Sequence, residues 1–254
     1  MDPETPLAPH SRKPIDVESC AIIEEFKPPI VSFHFGLPAK HLLDRVKATR
    51  ARVIASATTV REALWLESRG CDAIIAMGFE AGGHRGNFLS DDMARQVGAF
   101  ALVPQIVDAV GVPVIAAGEI VDARGIVAAL VLGASAVQIG TAYLFCPEAK
   151  VPPLHLEALK HATDDDTMIT NVFTGRPARG IVNRPMLEVG PMASAVPSFS
   201  LASSAVGHLR AKSEPADSNA FVNMWSGQAA RLARRGVPAG ELTRALASEA
   251  LARL

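Results

Sequence analysis

Apolar residues in the first part of the chain come in short continuous runs, at residues 30–33, 52–55, 73–76, 114–117 and 136–139, rich in β-branched or small side chains and bounded by turn formers. Runs that do not alternate with polar positions mark strands covered on both faces, as in a parallel sheet. Between them the period changes. Residues 58–69 carry Val60, Ala63, Leu64 and Leu66 at helical spacing, behind the cap candidates Thr58 and Thr59 and ahead of Gly70. Residues 122–132 repeat that grammar and Gly133 supplies the stop. A further helical stretch, residues 17–26, precedes the first run. Strands and helices alternating in this way predict an α/β fold with a parallel sheet, either a barrel or an open doubly wound sheet.

After Cys146 the pattern shifts. Residues 151–197 hold Pro152, Pro153, Pro177, Pro185, Pro191 and Pro197, and helical periodicity returns at 221–234 and 241–254. The expected organisation is a β/α region over residues 1–150 and a helical C-terminal extension over 151–254 packed on the sheet. The apolar stretch 125–145 approaches the length of a membrane span, but Gly133, Ser135, Gln138 and Gly140 interrupt it. A helix, a glycine turn and a buried strand explain it better, and the first thirty residues lack the order of a signal peptide.

Composition narrows the function classes. With 49% hydrophobic and 20% charged residues the chain is globular rather than disordered, and its net charge of -1 offers no footprint for nucleic acid or anionic membrane. The 5% aromatic content disfavours a stacking platform for bases. Cys20, Cys71 and Cys146 are far apart and odd in number, so neither a metal cluster nor a disulfide framework is expected, and a reducing, cytoplasmic compartment fits.

In parallel α/β folds ligands gather beyond the carboxyl ends of the strands. The third strand runs into Gly78-Phe79-Glu80-Ala81-Gly82-Gly83-His84-Arg85-Gly86, a backbone able to approach a ligand closely. His84, presented there, is the candidate general base, because imidazole exchanges protons near neutrality. The bland alternative is a flexible turn with an exposed histidine. Among the other histidines His10 lies in the polar N-terminal stretch, and only His34, following the first strand, is a rival. The fourth and fifth strands end in Ala116-Ala117-Gly118-Glu119-Ile120 and Gln138-Ile139-Gly140-Thr141. Adjacent strand ends of this kind aim backbone N–H groups at one phosphate, which implies a phosphorylated cofactor or substrate.

These segments, in this order and spacing, resemble the nitronate monooxygenase family, formerly called 2-nitropropane dioxygenases. The resemblance extends to Val31-Ser32-Phe33-His34-Phe35-Gly36, to Thr174-Gly175-Arg176-Pro177-Ala178-Arg179-Gly180 and to Trp225-Ser226-Gly227-Gln228, and so covers nearly the whole chain. It implies an FMN-dependent TIM-barrel, (β/α)8, enzyme that oxidises alkyl nitronates or nitroalkanes with dioxygen to carbonyl compounds and nitrite. It implies His84 as catalytic base and Gly78, Gly83, Gln138, Gly140 and Thr141 at positions that hold FMN, with Gly118, Glu119 and Ile139 beside them at the phosphate. Glu119 stands where the family usually has glycine, and its carboxylate would repel a phosphate unless turned away. The family's first three strand–helix units have no counterpart here, so the expectation is a barrel cut to about five strands, with open edges that favour a homo-oligomer. Two other readings share these loops: a flavin-dependent enoyl reductase using NAD(P)H, and a non-catalytic flavin- or phosphate-binding fragment.

Overall fold

A computed structural model describes residues 13–254 of the chain; His10 lies outside the described residues. In chain order the elements begin with helix α1 (Val17–Phe26), strand β1 (Ile30–Phe33), α2 (Lys40–Ala48), β2 (Arg52–Ala57), α3 (Val60–Ser68), β3 (Ala73–Met77) and β4 (Gly83–His84). They continue with α4 (Ala99–Ala109), β5 (Val114–Ala117), α5 (Ala123–Val131) and β6 (Ala136–Gln138). Last come α6 (Pro153–His161), β7 (Thr167–Thr170), β8 (Ala178–Ile181), α7 (Arg184–Glu188), α8 (Leu201–Ser213) and α9 (Ala239–Leu251).

The chain divides into two compact units. One comprises residues 13–80, 85–139 and 248–254, and the other takes residues 81–84 and 140–247. The first holds a wholly parallel sheet of order β1-β2-β3-β5-β6, each strand beside its predecessor. Among the described residues the order never reverses, so the sheet contains no switch point of the kind a doubly wound sheet has.

Local chemistry explains the elements. Thr59 caps α3, its Oγ1 accepting from the Glu62 N–H at 3.2 Å, and Asp122 caps α5 through the Arg124 and Gly125 N–H groups. Each cap supplies a partner for backbone donors that a first turn leaves unpaired, at about 1 kcal/mol. Helix α3 buries Ala63 and Leu66 and turns Leu64 outward, so its apolar stripe meets Val53, Ala55, Ile74, Leu102 and Ile106 in the core. Full burial of a Leu or Ile contributes about 1.5–3 kcal/mol. Helix α4 tolerates Pro104 in its interior, where no periodicity argument places a proline.

Three expectations need correction. The five strands are not all covered on both faces: β2, β3 and β5 are, but β1 and β6 are largely exposed or half-buried, with Ile30 54% exposed. They are the sheet's two edges and have neighbours on one side only. Residues 151–254 are not purely helical. β7 and β8 pair antiparallel and β4 joins β8, giving a second sheet of order β4-β8-β7. Residues 221–234 are not a helix beyond the short turn Ala230–Leu232, because β8 takes their backbone groups instead. Met224 O accepts from Ile181 N at 2.8 Å, Trp225 bridges Gly180, and the Asn183 amide donates to Val222 O at 2.7 Å.

The apolar stretch 125–145 resolves into α5, a turn at Gly133 with φ +96°, β6 and the turn Thr141–Phe145. No helix among the described residues is long and apolar enough to cross a membrane. The three cysteines are buried free thiols, and burial pushes the Cys71 thiol up to about 11.

Candidate functional site

In the parallel-sheet unit, register brings the predicted loops together. Met77 pairs with Ala117 and Ala117 with Gln138, so Gly78, Gly118-Glu119 and Ile139 leave the carboxyl ends of three adjacent strands. The Gly78 N–H donates to Ala117 O at 2.9 Å and carries the ladder one step further. A Cβ on Gly78 would lie 2.7 Å from Ala99 N, so no side chain fits there. Gly118 and Glu119 are both left-handed, with φ +109° and +62°. Glu119 is exposed and carries strain that a glycine would not. At the same end of the sheet, His34 Nδ1 lies 3.1 Å from Ser56 Oγ, and a Cβ on Gly86 would meet both residues.

The other charged residues of the glycine loop prove architectural. Glu80 accepts from the Ala99 N–H through both carboxylate oxygens, at 3.0 and 2.9 Å, and so caps α4. Arg85 is fully buried: Nη1 donates to Gly78 O at 2.7 Å and Nη2 to Met77 O at 3.0 Å. Its Nε and Nη2 also reach Gln96 Oε1. The Gln96 amide donates onward to Thr58 Oγ1, and that hydroxyl to Glu62 Oε2. Glu62, also buried, accepts from the Phe88 and Leu89 N–H groups with its other oxygen. A buried cation and a buried carboxylate are thus joined through two neutral groups, and both ends grip backbone flanking the loop, which gives such a network its rigidity.

The second unit contains Gly83, His84, Gly140 and Thr141. Here Gly83 and His84 form β4, opposite Arg179 and Ala178. Gly83 uses its freedom, with φ +76°, and a Cβ there would meet nothing within 4 Å. Gly82 is needed for close approach, since a Cβ would collide with the Ser226–Gly227 backbone. The Gly227 N–H is held by Thr141 Oγ1 at 3.0 Å, and a Cβ on Gly140 would meet open space. Thus the segment around Trp225 touches both the His84 strand and Thr141.

His84 is half-buried, not solvent-exposed on a flexible turn. Its Nε2 lies 2.9 Å from Thr174 Oγ1. Phe199 meets the ring edge-on at 5.8 Å and Trp225 lies tilted at 5.5 Å. Trp225 is fixed in turn by Phe173, at 5.8 Å, and by buried His155, whose Nε2 lies 3.0 Å from Trp225 O. Burial holds the His155 pKa below the usual imidazole value, and because a carbonyl oxygen only accepts, Nε2 is the donor. Thr174, Phe199, Trp225 and His155 were not singled out as site residues from the sequence. Thr174 and Trp225 did sit in the segments that carry the resemblance, the only signal pointing to them. Among the described residues no group of three or more His, Cys, Asp or Glu could hold a metal ion.

A family model described as nitronate monooxygenase matches residues 7–249. A probable nitronate monooxygenase of Staphylococcus aureus (strain Newman) is 42% identical over 206 residues, covering 81% of this chain and 58% of that relative. The chain therefore spans less than two thirds of that relative's length. Among solved structures, nitroalkane oxidase from Streptomyces ansochromogenes superposes with a TM-score of 0.85 at 38% identity, over 92% of this chain and 67% of that one. FabK from Thermotoga maritima superposes with a TM-score of 0.76 at 29% identity, over 93% and 72% respectively. The fold, the glycine-framed His84 and a family match running almost from end to end make this chain a member of the nitronate monooxygenase family.

Proposed function

We propose that the chain carries out FMN-dependent oxidation of alkyl nitronates or nitroalkanes by dioxygen, giving a carbonyl compound and nitrite, with the parallel sheet as part of a β/α barrel. The observation that carries this reading is His84, set on a short strand in contact with two aromatic rings and hydrogen-bonded to a hydroxyl, in a chain of this family. The residues suit a flavin mononucleotide. Gly83 and Gly140 face space that a Cβ would not fill, and Gly118-Glu119 turn left-handed at a strand end, where backbone N–H groups suit a phosphate. Gly78, Gly83, Gly118, Glu119, Gln138, Ile139, Gly140 and Thr141 are the residues assigned to hold it. When bound, FMN supplies the route by which electrons pass from substrate to dioxygen.

The chain's own residues do the rest. His84 takes the proton from the carbon bearing a neutral nitro group, and the electron pair left behind delocalises onto the nitro oxygens. Phe199 and Trp225 pack against the imidazole and restrict its orientation. A preformed nitronate needs no such proton transfer.

The test is to supply the purified protein with FMN and either nitroethane or its nitronate, with no pyridine nucleotide, and to follow nitrite and oxygen. Nitrite release with oxygen uptake is the expected result. Turnover only with NAD(P)H and an enoyl thioester would replace this reading with a reductase, and a protein that takes up no flavin would replace it with a non-catalytic role. Three buried free thiols suit the reducing, cytoplasmic setting proposed with it, and light scattering reads out the proposed homo-oligomer.

A further inference from the structure

We propose that Thr174 is a positioning residue that fixes which nitrogen of His84 carries the proton. This rests on the reading of His84 as the base, and the argument comes from counting the bonds around one hydroxyl. Thr174 Oγ1 has three neighbours within hydrogen-bond distance: Arg176 O at 3.2 Å, the Arg176 N–H at 3.3 Å and His84 Nε2 at 2.9 Å. A threonine hydroxyl has one hydrogen to give and two lone pairs to receive. Arg176 O can only accept and the Arg176 N–H can only donate. The hydroxyl hydrogen therefore goes to Arg176 O, one lone pair takes the Arg176 N–H, and the remaining lone pair faces His84 Nε2.

That lone pair is satisfied only if Nε2 carries a hydrogen. Donation of the hydroxyl to Nε2 instead would take the hydrogen from Arg176 O and leave Oγ1 with a lone pair unused. The arrangement that fills all three contacts is Nε2–H donating to Thr174, which makes Nδ1 the proton-accepting nitrogen of neutral His84. The tripeptide Thr174–Arg176 is well placed to enforce this. Gly175 turns left-handed at φ +82°, and its N–H and that of Thr174 both return to Asn171 O, at 2.7 and 3.3 Å, so the hydroxyl sits on a closed turn. Ring contacts with Phe199 and Trp225 set the plane of the imidazole, and Thr174 sets its chemistry. The proton leaving the substrate carbon then passes to Nδ1 and yields an imidazolium whose Nε2–H stays bonded to the threonine.

The test compares Thr174→Val, which keeps the shape and removes the hydroxyl, with Thr174→Ser, which keeps the hydroxyl. In protein labelled with nitrogen-15 at histidine, one-bond and two-bond nitrogen–carbon-bound-proton correlations identify the tautomer with no substrate and no turnover. Wild type and Thr174→Ser are expected to show His84 as the Nε2–H form, and Thr174→Val a mixture of both forms. With neutral nitroalkane, Thr174→Val is expected to lose roughly tenfold to a hundredfold in kcat/KM, the range for outer partners that orient a histidine. The pH profile should shift, while turnover of preformed nitronate changes little.

An Nδ1–H tautomer in wild type overturns the proposal. So does a Thr174→Val protein with unchanged tautomer, or equal losses on nitroalkane and nitronate. Should Thr174→Val fail to fold, wild type and Thr174→Ser still decide it by tautomer. A wild type that turns over no nitro compound yet shows the Nε2–H form, lost in Thr174→Val, would refute the activity and leave the assignment of Thr174 to His84 standing.

Discussion

Gln96 Oε1 accepts two hydrogen bonds from the one guanidinium of Arg85, from Nε at 3.2 Å and Nη2 at 2.9 Å, while the remaining fork of Arg85 reaches the Met77 and Gly78 carbonyls. The arginine next to the candidate base is thus a strut beneath the β3 loop.

Arg85→Met is expected to cost about 3–5 kcal/mol, since it strands Met77 O and Gly78 O as buried acceptors, deprives half-buried Gln96 of its donor and leaves the Glu62 carboxylate without its relayed cation. Arg85→Lys should recover less than half of that, because a point ammonium cannot span a planar fork's partners. Urea unfolding reads both. A midpoint for Arg85→Met within 0.5 kcal/mol of wild type, taken as a rough error on such measurements, would contradict the strut.

His155 gives a pH dependence with a definite sign. Its native pKa is lowered by burial, whereas in the unfolded chain the ring titrates near 6.5. Between the lowered value and about 6.5 the unfolded state binds more protons than the native one, so stability rises with pH through that window, levels off above it, and is lost as the pH falls through it. His155→Gln, which retains a donor for Trp225 O, should flatten this slope. Denaturation curves at several pH values on either side of about 6.5 follow that slope, and an equal slope in the variant would assign the dependence to another group.

The alternation of short runs and helices was legible almost to the residue. β1 and β5 fall at the expected positions, and the caps Thr59 and Asp122 mark α3 and α5. Those elements are fixed by local periodicity and capping. What escaped notice depends on partners distant in sequence. Residues 221–234 carry a helical pattern, yet β8 outcompetes the helix for Met224 and Trp225. His84 and the Gly78 and Gly118 loops were legible because glycines at strand ends leave a mark. Thr174, 90 residues from His84, is marked only by its place in a segment that carries the resemblance. Glu80 and Arg85 stood in the same glycine loop, but only the structure separates a helix cap and a backbone strut from chemistry.

His84→Ala, loaded with FMN, is expected to lose about 10²–10⁴ in kcat/KM for neutral nitroalkanes, the usual worth of a general base. Flavin binding should be largely spared, because the variant removes no backbone donor. Loss on the preformed nitronate should be clearly smaller. Unchanged nitroalkane turnover would transfer the role to another group, and His34, near Ser56 at the carboxyl end of β1, is the next to test.

Glu119→Gly tests the proposed phosphate site and the backbone together. Glu119 holds φ +62° directly after Gly118 at φ +109°, a region where a side chain costs roughly 1–2 kcal/mol and glycine costs little. Glycine also loosens the unfolded chain, by about 0.4–1 kcal/mol, so the net stabilisation should lie between about 0 and 1.6 kcal/mol. Removing the carboxylate also removes a negative charge from the strand end assigned to the FMN phosphate, and FMN affinity should rise by a modest factor, more at low ionic strength than at high. The two effects separate by measurement. A thermal shift without flavin reads the change in stability, and a flavin titration at two salt concentrations reads the charge. Higher stability with unchanged, salt-independent affinity would mean that the carboxylate faces away from any phosphate. Lower affinity would mean that the Glu119 side chain is itself part of the site.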